Sequence, residues 1–348
     1  MLTYDYYSRV EVPFMNARMV LHYKIVSGTA PYQFRYRILV PNVAEGLAQA
    51  IQHAPLVASR PIVPPLTYSK RAFVLAYAML NFAALVILFW SVGELVARLF
   101  GIELSWFAVA VSATLVAFTF RDHYYQPWSF WEGALFGVGL LLIHQQRLWL
   151  FTGLSLVGLL IRETSIFLVL MLLAVALPSY KSRKARFAIG TLAAWIGGFF
   201  LLHYFVGYQP STYFLETAIA GNREHAWYAL LLNGLLIGIV SPLIVRGMET
   251  GPQLIRRAAL VLPAYFALLF VIGLWWEIRY WITALPIVVP ALVAGALRTA
   301  HPAAASSDEV RVAAARARSS IEIHESADAN GGGPGVRRRK GQRAKRPK

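Results

Sequence analysis

The sequence contains no cysteine in 348 residues. That excludes a disulfide scaffold, a thiolate metal site and a catalytic thiol. Charge is also scarce: Asp, Glu, Lys and Arg make up 14% of the chain, against about 25% in an ordinary soluble domain. Acid is the scarcer sign, with 17 Asp+Glu against 33 Lys+Arg and a formal net charge of +16. A basic soluble nucleic-acid binder would need a far more charged surface, so nucleic acid is not an expected partner. The phosphate-cradling GxxxxGK[ST] loop and the HExxH zinc helix are absent, as is the GxSxG nucleophile elbow. No nucleotide cofactor is expected, so energy or an activated group must come from elsewhere.

What fills the chain instead is apolar sequence, 57% of all residues. A helix needs roughly 20 mostly apolar residues to cross a bilayer. Runs of that kind lie at 72–93, 103–120, 128–146, 188–206, 227–246, 258–276 and 281–298. A further run, Leu148 to Leu177, is interrupted by Arg162-Glu163-Thr164. Three consecutive polar residues at mid-span are costly in lipid, so two shorter helices meeting at the triplet are expected there rather than one long tilted one. The expected fold class is all-α, a polytopic transmembrane helical bundle with one split helix pair.

Loop charge sets the expected orientation. The 179–187 stretch carries Lys181, Arg183, Lys184 and Arg186, and the 246–257 stretch carries Arg246, Arg256 and Arg257 against Glu249. Both read as cytoplasmic loops, and the spans between them put the C-terminus on the same side. The loops at 121–127, 207–226 and 275–281 then face outward, in a plasma membrane of bacterial inner-membrane type. Residues 1–71 read as a non-cytoplasmic segment with interfacial helices, one of them from Pro41 to Ile51 with Leu39 and Val40 flanking it. With no secretory signal at the start, this placement implies either a helix upstream of Met1 or an N-terminus carried across by the first span. Residues 72–298 read as the bundle and 299–348 as a disordered basic cytoplasmic tail. Arg337 to Lys348 hold eight Lys/Arg, half of the net charge, and would be drawn to an anionic inner leaflet.

Ionisable residues at membrane depth are the informative ones, because each is costly unless paired or wet. Asp5 is either a general base for an acceptor hydroxyl or an interfacial carboxylate. Arg35 and Arg37 offer bidentate donors to a phosphate, or else snorkel to headgroups. Asp122 and His123 supply a second carboxylate, a metal-ligand pair or a phosphate donor, or form an ordinary loop in an aromatic belt. Arg162 and Glu163 are adjacent, and on a helix they would point about 100° apart. Each therefore needs another partner, with Glu132, Glu277 and Arg279 as candidates. Glu94 and Arg98 are spaced for a local i,i+4 pair. No metal-ligand cluster is assigned, and a role for a divalent cation stays open.

The run Ala30-Pro31-Tyr32-Gln33-Phe34-Arg35-Tyr36-Arg37-Ile38-Leu39-Val40-Pro41, the Asp122 to Trp128 run, Arg162-Glu163-Thr164 and the Glu277/Arg279 pair together resemble the GT-C superfamily of membrane glycosyltransferases. The resemblance implies a GT-C-like bundle and a sugar donor carried on a polyprenyl phosphate, with membrane lipids as surroundings. It implies Asp5 as general base, with Arg35 or Arg37 and Arg279 near the donor phosphate. Asp122 and His123 would then sit in the second outward loop, and Arg162, Glu163 and Glu277 in the substrate site. The alternatives left open are a transporter or flippase of a lipid-linked saccharide and a non-catalytic membrane subunit.

Overall fold

The computed structural model describes residues 18–53, 68–119, 128–179, 181–207, 222–223, 226–272 and 280–300, and every regular element among them is helical. A helix over 18–26 (α1) leads through a turn into α2 (Tyr32–Arg35) and α3 (Leu39–His53). The remaining helices are α4 (Tyr68–Phe100), α5 (Glu103–Thr119), α6 (Trp128–His144), α7 (Leu148–Ile161), α8 (Ile166–Ala176), α9 (Arg183–Val206), α10 (Ala226–Thr250), α11 (Gln253–Ala258), α12 (Leu262–Ile272) and α13 (Tyr280–Ala300). Residues up to Leu297 form one compact unit; of the second, which begins at Arg298, only the last turn of α13 is described.

Among the described residues, three helices are long and apolar enough to cross a membrane: Ala72–Phe100, Arg183–Val206 and Tyr280–Thr299. Four shorter apolar helices accompany them within 103–176. Their ends follow local chemistry. α4 stops at Gly101, whose φ of +111° is costly for a residue with a Cβ. Ser182 caps α9 by accepting the Ala185 N–H at 3.2 Å, which satisfies one of the orphan donors of a helix start. At its far end, α9 closes on Gly207 with φ +85°.

These caps correct part of the loop assignment. Arg183, Lys184 and Arg186 belong to the first turn of α9 rather than to a loop. The 246–257 stretch is mostly helical too, since α10 runs to Thr250 and α11 begins at Gln253 after Pro252. Clustered charge suggested coil there. Gln, Leu, Arg and Ala are instead good helix formers, and Pro252 fixes the bend. The apolar run that follows is divided by a 3-10 turn over Ala259–Val261.

α6 sits at the centre. Its buried residues join α1, α3, α4 and α7 through Trp128 and Leu135, and join α4, α5 and α13 through Phe130 and Ala134. Phe136, Leu140 and Ile143 complete a third cluster with α7, α8, α9, α11, α12 and α13. Close approach depends on missing side chains. A Cβ on Gly133 would meet the Ile282 carbonyl oxygen of α13 at 3.0 Å, and one on Gly137 would overlap Ser91 of α4. Small residues four apart let helix backbones pack at short range where lipid supplies no hydrophobic drive between helices.

Candidate functional site

The interrupted segment does break, and at the expected place. α7 ends at Ile161, Arg162 is extended (φ −165°, ψ 142°), and Glu163–Ser165 form one 3-10 turn before α8 starts. The turn is held from both sides. Arg162 N–H still bonds the Gly158 carbonyl at 2.8 Å, and Ser165 N–H bonds the Arg162 carbonyl at 3.0 Å. From α9, the Trp195 indole N–H donates to Ser165 Oγ at 3.1 Å. Gly158 gives the turn its room, because a Cβ there would lie 2.9 Å from that of Ser165.

Breaking the helix aims Arg162 and Glu163 at different neighbours. The Arg162 Nη1 donates to Glu132 Oε2 at 2.7 Å. Thr164 Oγ1 donates to the other carboxylate oxygen of Glu132. Glu132 and Arg162 are 1% and 5% exposed, so this is a dry pair whose charges compensate each other. The Arg162 guanidinium also lies 5.6 Å from the Tyr280 ring centre, and the Tyr265 hydroxyl donates to the Tyr280 carbonyl at 3.3 Å.

Glu163 turns the opposite way, with Oε2 lying 3.7 Å from Arg37 Nε. Arg37 rests against two rings that touch each other: its guanidinium carbon is 5.3 Å from the centre of Phe34 and 5.2 Å from that of Trp128, and the two ring centres are 5.9 Å apart. Cation–π contact of this kind holds a guanidinium against an aromatic corner. This second pair is wetter, with Glu163 30% exposed. The helix break thus carries two ion pairs, Arg37–Glu163 partly exposed and Arg162–Glu132 buried.

Arg35 and Arg37 do not share a ligand-facing side. Arg35 ends α2 and its Nη2 lies beside Gly207, 3.6 Å from where a Cβ would stand. Its buried Nε has no hydrogen-bond partner among the described residues. Between the two arginines, Tyr36 stacks on His203 of α9 at 3.7 Å and donates its hydroxyl to the Gly207 carbonyl at 3.1 Å. Asp5, Asp122, His123, Glu277 and Arg279 lie outside the described residues. Among the described residues, no group of three His, Asp or Glu gathers as metal ligands.

Sequence reasoning placed Arg162, Glu163 and Arg37 among the candidates and gave Glu132 only as a possible partner. Its signal was present nonetheless, since Glu132 is the sole acid in the run from Trp128 to His144. The roles of Phe34, Trp128, Thr164 and Tyr280 were not anticipated. Chemically, the arrangement offers a cation resting on two aromatic rings beside a partly exposed carboxylate, backed by a buried carboxylate–guanidinium pair. No protein-family model, curated protein or solved structure matches the chain.

Proposed function

We propose that the protein is an integral membrane glycosyltransferase that takes its sugar from a polyprenyl-phosphate-linked donor on the non-cytoplasmic face of a multi-pass bundle. The observation that carries this reading is the setting of Arg37. A guanidinium resting against Phe34 and Trp128, and contacted by Glu163 at 3.7 Å, suits a donor phosphate that competes with the carboxylate for it. Ionisable groups at such depth are costly and mark function more often than not. Two stretches of sequence support the same location: the 122–127 run leads into Trp128, and Glu277 and Arg279 precede Tyr280 by three residues and one.

In this reading the Asp5 carboxylate takes the proton of an acceptor hydroxyl. The acceptor oxygen attacks the anomeric carbon from the face opposite the leaving group, and the bond to the donor phosphate oxygen breaks with inversion. The charge left on the phosphate is taken up by arginines, with Arg37 and Arg279 in that role. The basic C-terminal run rests on the anionic inner leaflet.

The test is reconstitution of the full chain in proteoliposomes with radiolabelled polyprenyl-phosphate sugars. Transfer should be measurable and should be lost in Arg37→Ala. An Asp5→Asn variant as active as the parent would remove the assigned base, and no transfer from any such donor would remove the reading.

One observation favours a transport alternative. Broken helices at membrane depth are a recurring way to build a transporter's central site, and α7–α8 is such a pair. With no native cysteine, a single cysteine at position 164 can be labelled cleanly. Equal accessibility from both sides of the membrane favours transport, and one-sided accessibility favours the enzyme.

A further inference from the structure

A second polar cluster lies away from the helix break and joins three elements. His22 of α1 is 2% exposed. Its Nε2 lies 2.9 Å from Glu45 Oε2 of α3, and its Nδ1 lies 2.9 Å from the Tyr77 hydroxyl of α4. Phe73 of α4 closes on the ring edge-to-face at 4.9 Å. Arg18, one turn earlier on α1, sits 4.8 Å from the Tyr77 ring centre. Gln49 donates to the other Glu45 oxygen at 2.9 Å.

The hydrogen-bond inventory fixes the proton positions. A carboxylate only accepts, so His22 Nε2–H donates to Glu45, and in the neutral ring Nδ1 accepts the Tyr77 O–H. Protonating Nδ1 turns an acceptor into a donor. Tyr77 must then accept from His22 and point its own proton elsewhere, although it is itself 2% exposed. A buried imidazolium also faces the Arg18 cation from the same helix. Glu45 alone favours the charged ring, and its side chain is 26% exposed.

We propose that His22 is a pH-sensitive latch that docks α1 and α3 onto α4 while neutral and releases them when protonated. Its position gives the latch a target. α1 and α3 flank the 31–38 segment, which bears Arg35 and Arg37, so both ends of that segment are held through one imidazole. The ionisable groups facing His22 among the described residues are Arg18 and Tyr23 on α1, Glu45 on α3 and Tyr77 on α4. Burial holds the imidazole below its ordinary pKa against the pull of Glu45, and the hydrogen bond from His22 holds the Glu45 carboxyl below its own.

Both shifts act in one direction. A group whose folded pKa is depressed adds stability above its unfolded pKa and loses it as pH falls through the folded value. For His22 that loss begins below about pH 6.5. The latch stands apart from the glycosyl-transfer reading, and its test needs no activity.

The experiment is hydrogen–deuterium exchange on the full chain in lipid nanodiscs, corrected for intrinsic rates, as pH is lowered. Protection over 18–53 should fall by up to about tenfold per pH unit below the midpoint, while α6 stays protected. Tyr77→Phe removes the donor that favours the neutral ring and should move the midpoint up by about half a unit to one unit. Glu45→Gln removes the carboxylate that favours the charged ring and should move it down. His22→Gln should abolish the transition. Protection that stays constant with pH overturns the proposal, as does a wild-type midpoint in His22→Gln. Tyr77→Phe and Glu45→Gln shifting the midpoint the same way also overturns it, whether or not the His22 variant folds.

Discussion

Arg162 and Glu132 meet at 2.7 Å across thirty residues of sequence, with nearly all of both side chains withdrawn from solvent. Removing one partner strands the other in an apolar interior, which costs about 3–5 kcal/mol. Glu132→Ala should therefore lower stability by that amount in a detergent or nanodisc melting experiment. The paired change Glu132→Leu with Arg162→Met should recover most of the loss. Equal losses in the single and double variants would show that the charges do not compensate each other.

Trp128 acts on Arg37 through its ring. Trp128→Leu keeps an apolar side chain and removes the aromatic face, a contact worth about 0.5–2 kcal/mol. If the protein is the proposed glycosyltransferase, donor KM should rise several-fold with a smaller change in kcat. Arg37→Lys should not rescue the site, because an ammonium lacks the planar, bidentate fork that packs against the two rings and meets a phosphate. Steady-state kinetics with varied donor lipid separate the two outcomes.

The glycines divide into two kinds. A Cβ on Gly247 would overlap the Ala291 carbonyl of α13, and one on Gly295 would overlap the Leu243 carbonyl of α10. Gly247→Val or Gly295→Val should cost about 1–3 kcal/mol or more by forcing the two helices apart. Gly190 and Gly197 of α9 have nothing within 4 Å of a built Cβ. Gly190→Ala and Gly197→Ala should be neutral or stabilising by up to about 1 kcal/mol, through helix propensity alone. Thermal melts of the four variants in one membrane mimetic test the contrast.

The Trp195–Ser165 hydrogen bond pins the helix break to α9. Trp195→Phe keeps the stacked contact with Phe199, at 5.5 Å between ring centres, and deletes only the donor. Stability should drop by about 1 kcal/mol. Exchange at 162–166 should quicken more than in the flanking helices.

Much of this was legible in the sequence, and for a physical reason. Apolar runs of bilayer length announce helices, and Arg162-Glu163-Thr164 announces its own break because three polar residues in the middle of a span are costly in lipid. The Glu94–Arg98 pair formed as its i,i+4 spacing required, at 2.6 Å. Glu132 was readable as a partner because it stands alone among apolar residues. The Arg37–Glu163 contact was not readable. It depends on how the 31–38 segment folds back over Trp128, and sequence spacing carries no record of that path. His22 escaped notice for the same reason, since its partners lie 23 and 55 residues away on separate helices. Clustered charge is a poor guide at 246–257, where Arg246, Arg256 and Arg257 lie on helices.

The buried pair also fixes how the bundle can be assembled. Sliding α6 past the broken helix by one turn would shift it by about 5.4 Å, twice the length of the Glu132–Arg162 bond. Every such misregistration leaves a lone carboxylate and a lone guanidinium facing hydrocarbon. The apolar surfaces of these helices would tolerate many alignments, because Leu against Ile is much like Leu against Val. The charges tolerate one. What the pair contributes to net stability is small beside what it forbids: it works as a key that only the native stagger of α6 against α7 and α8 can turn.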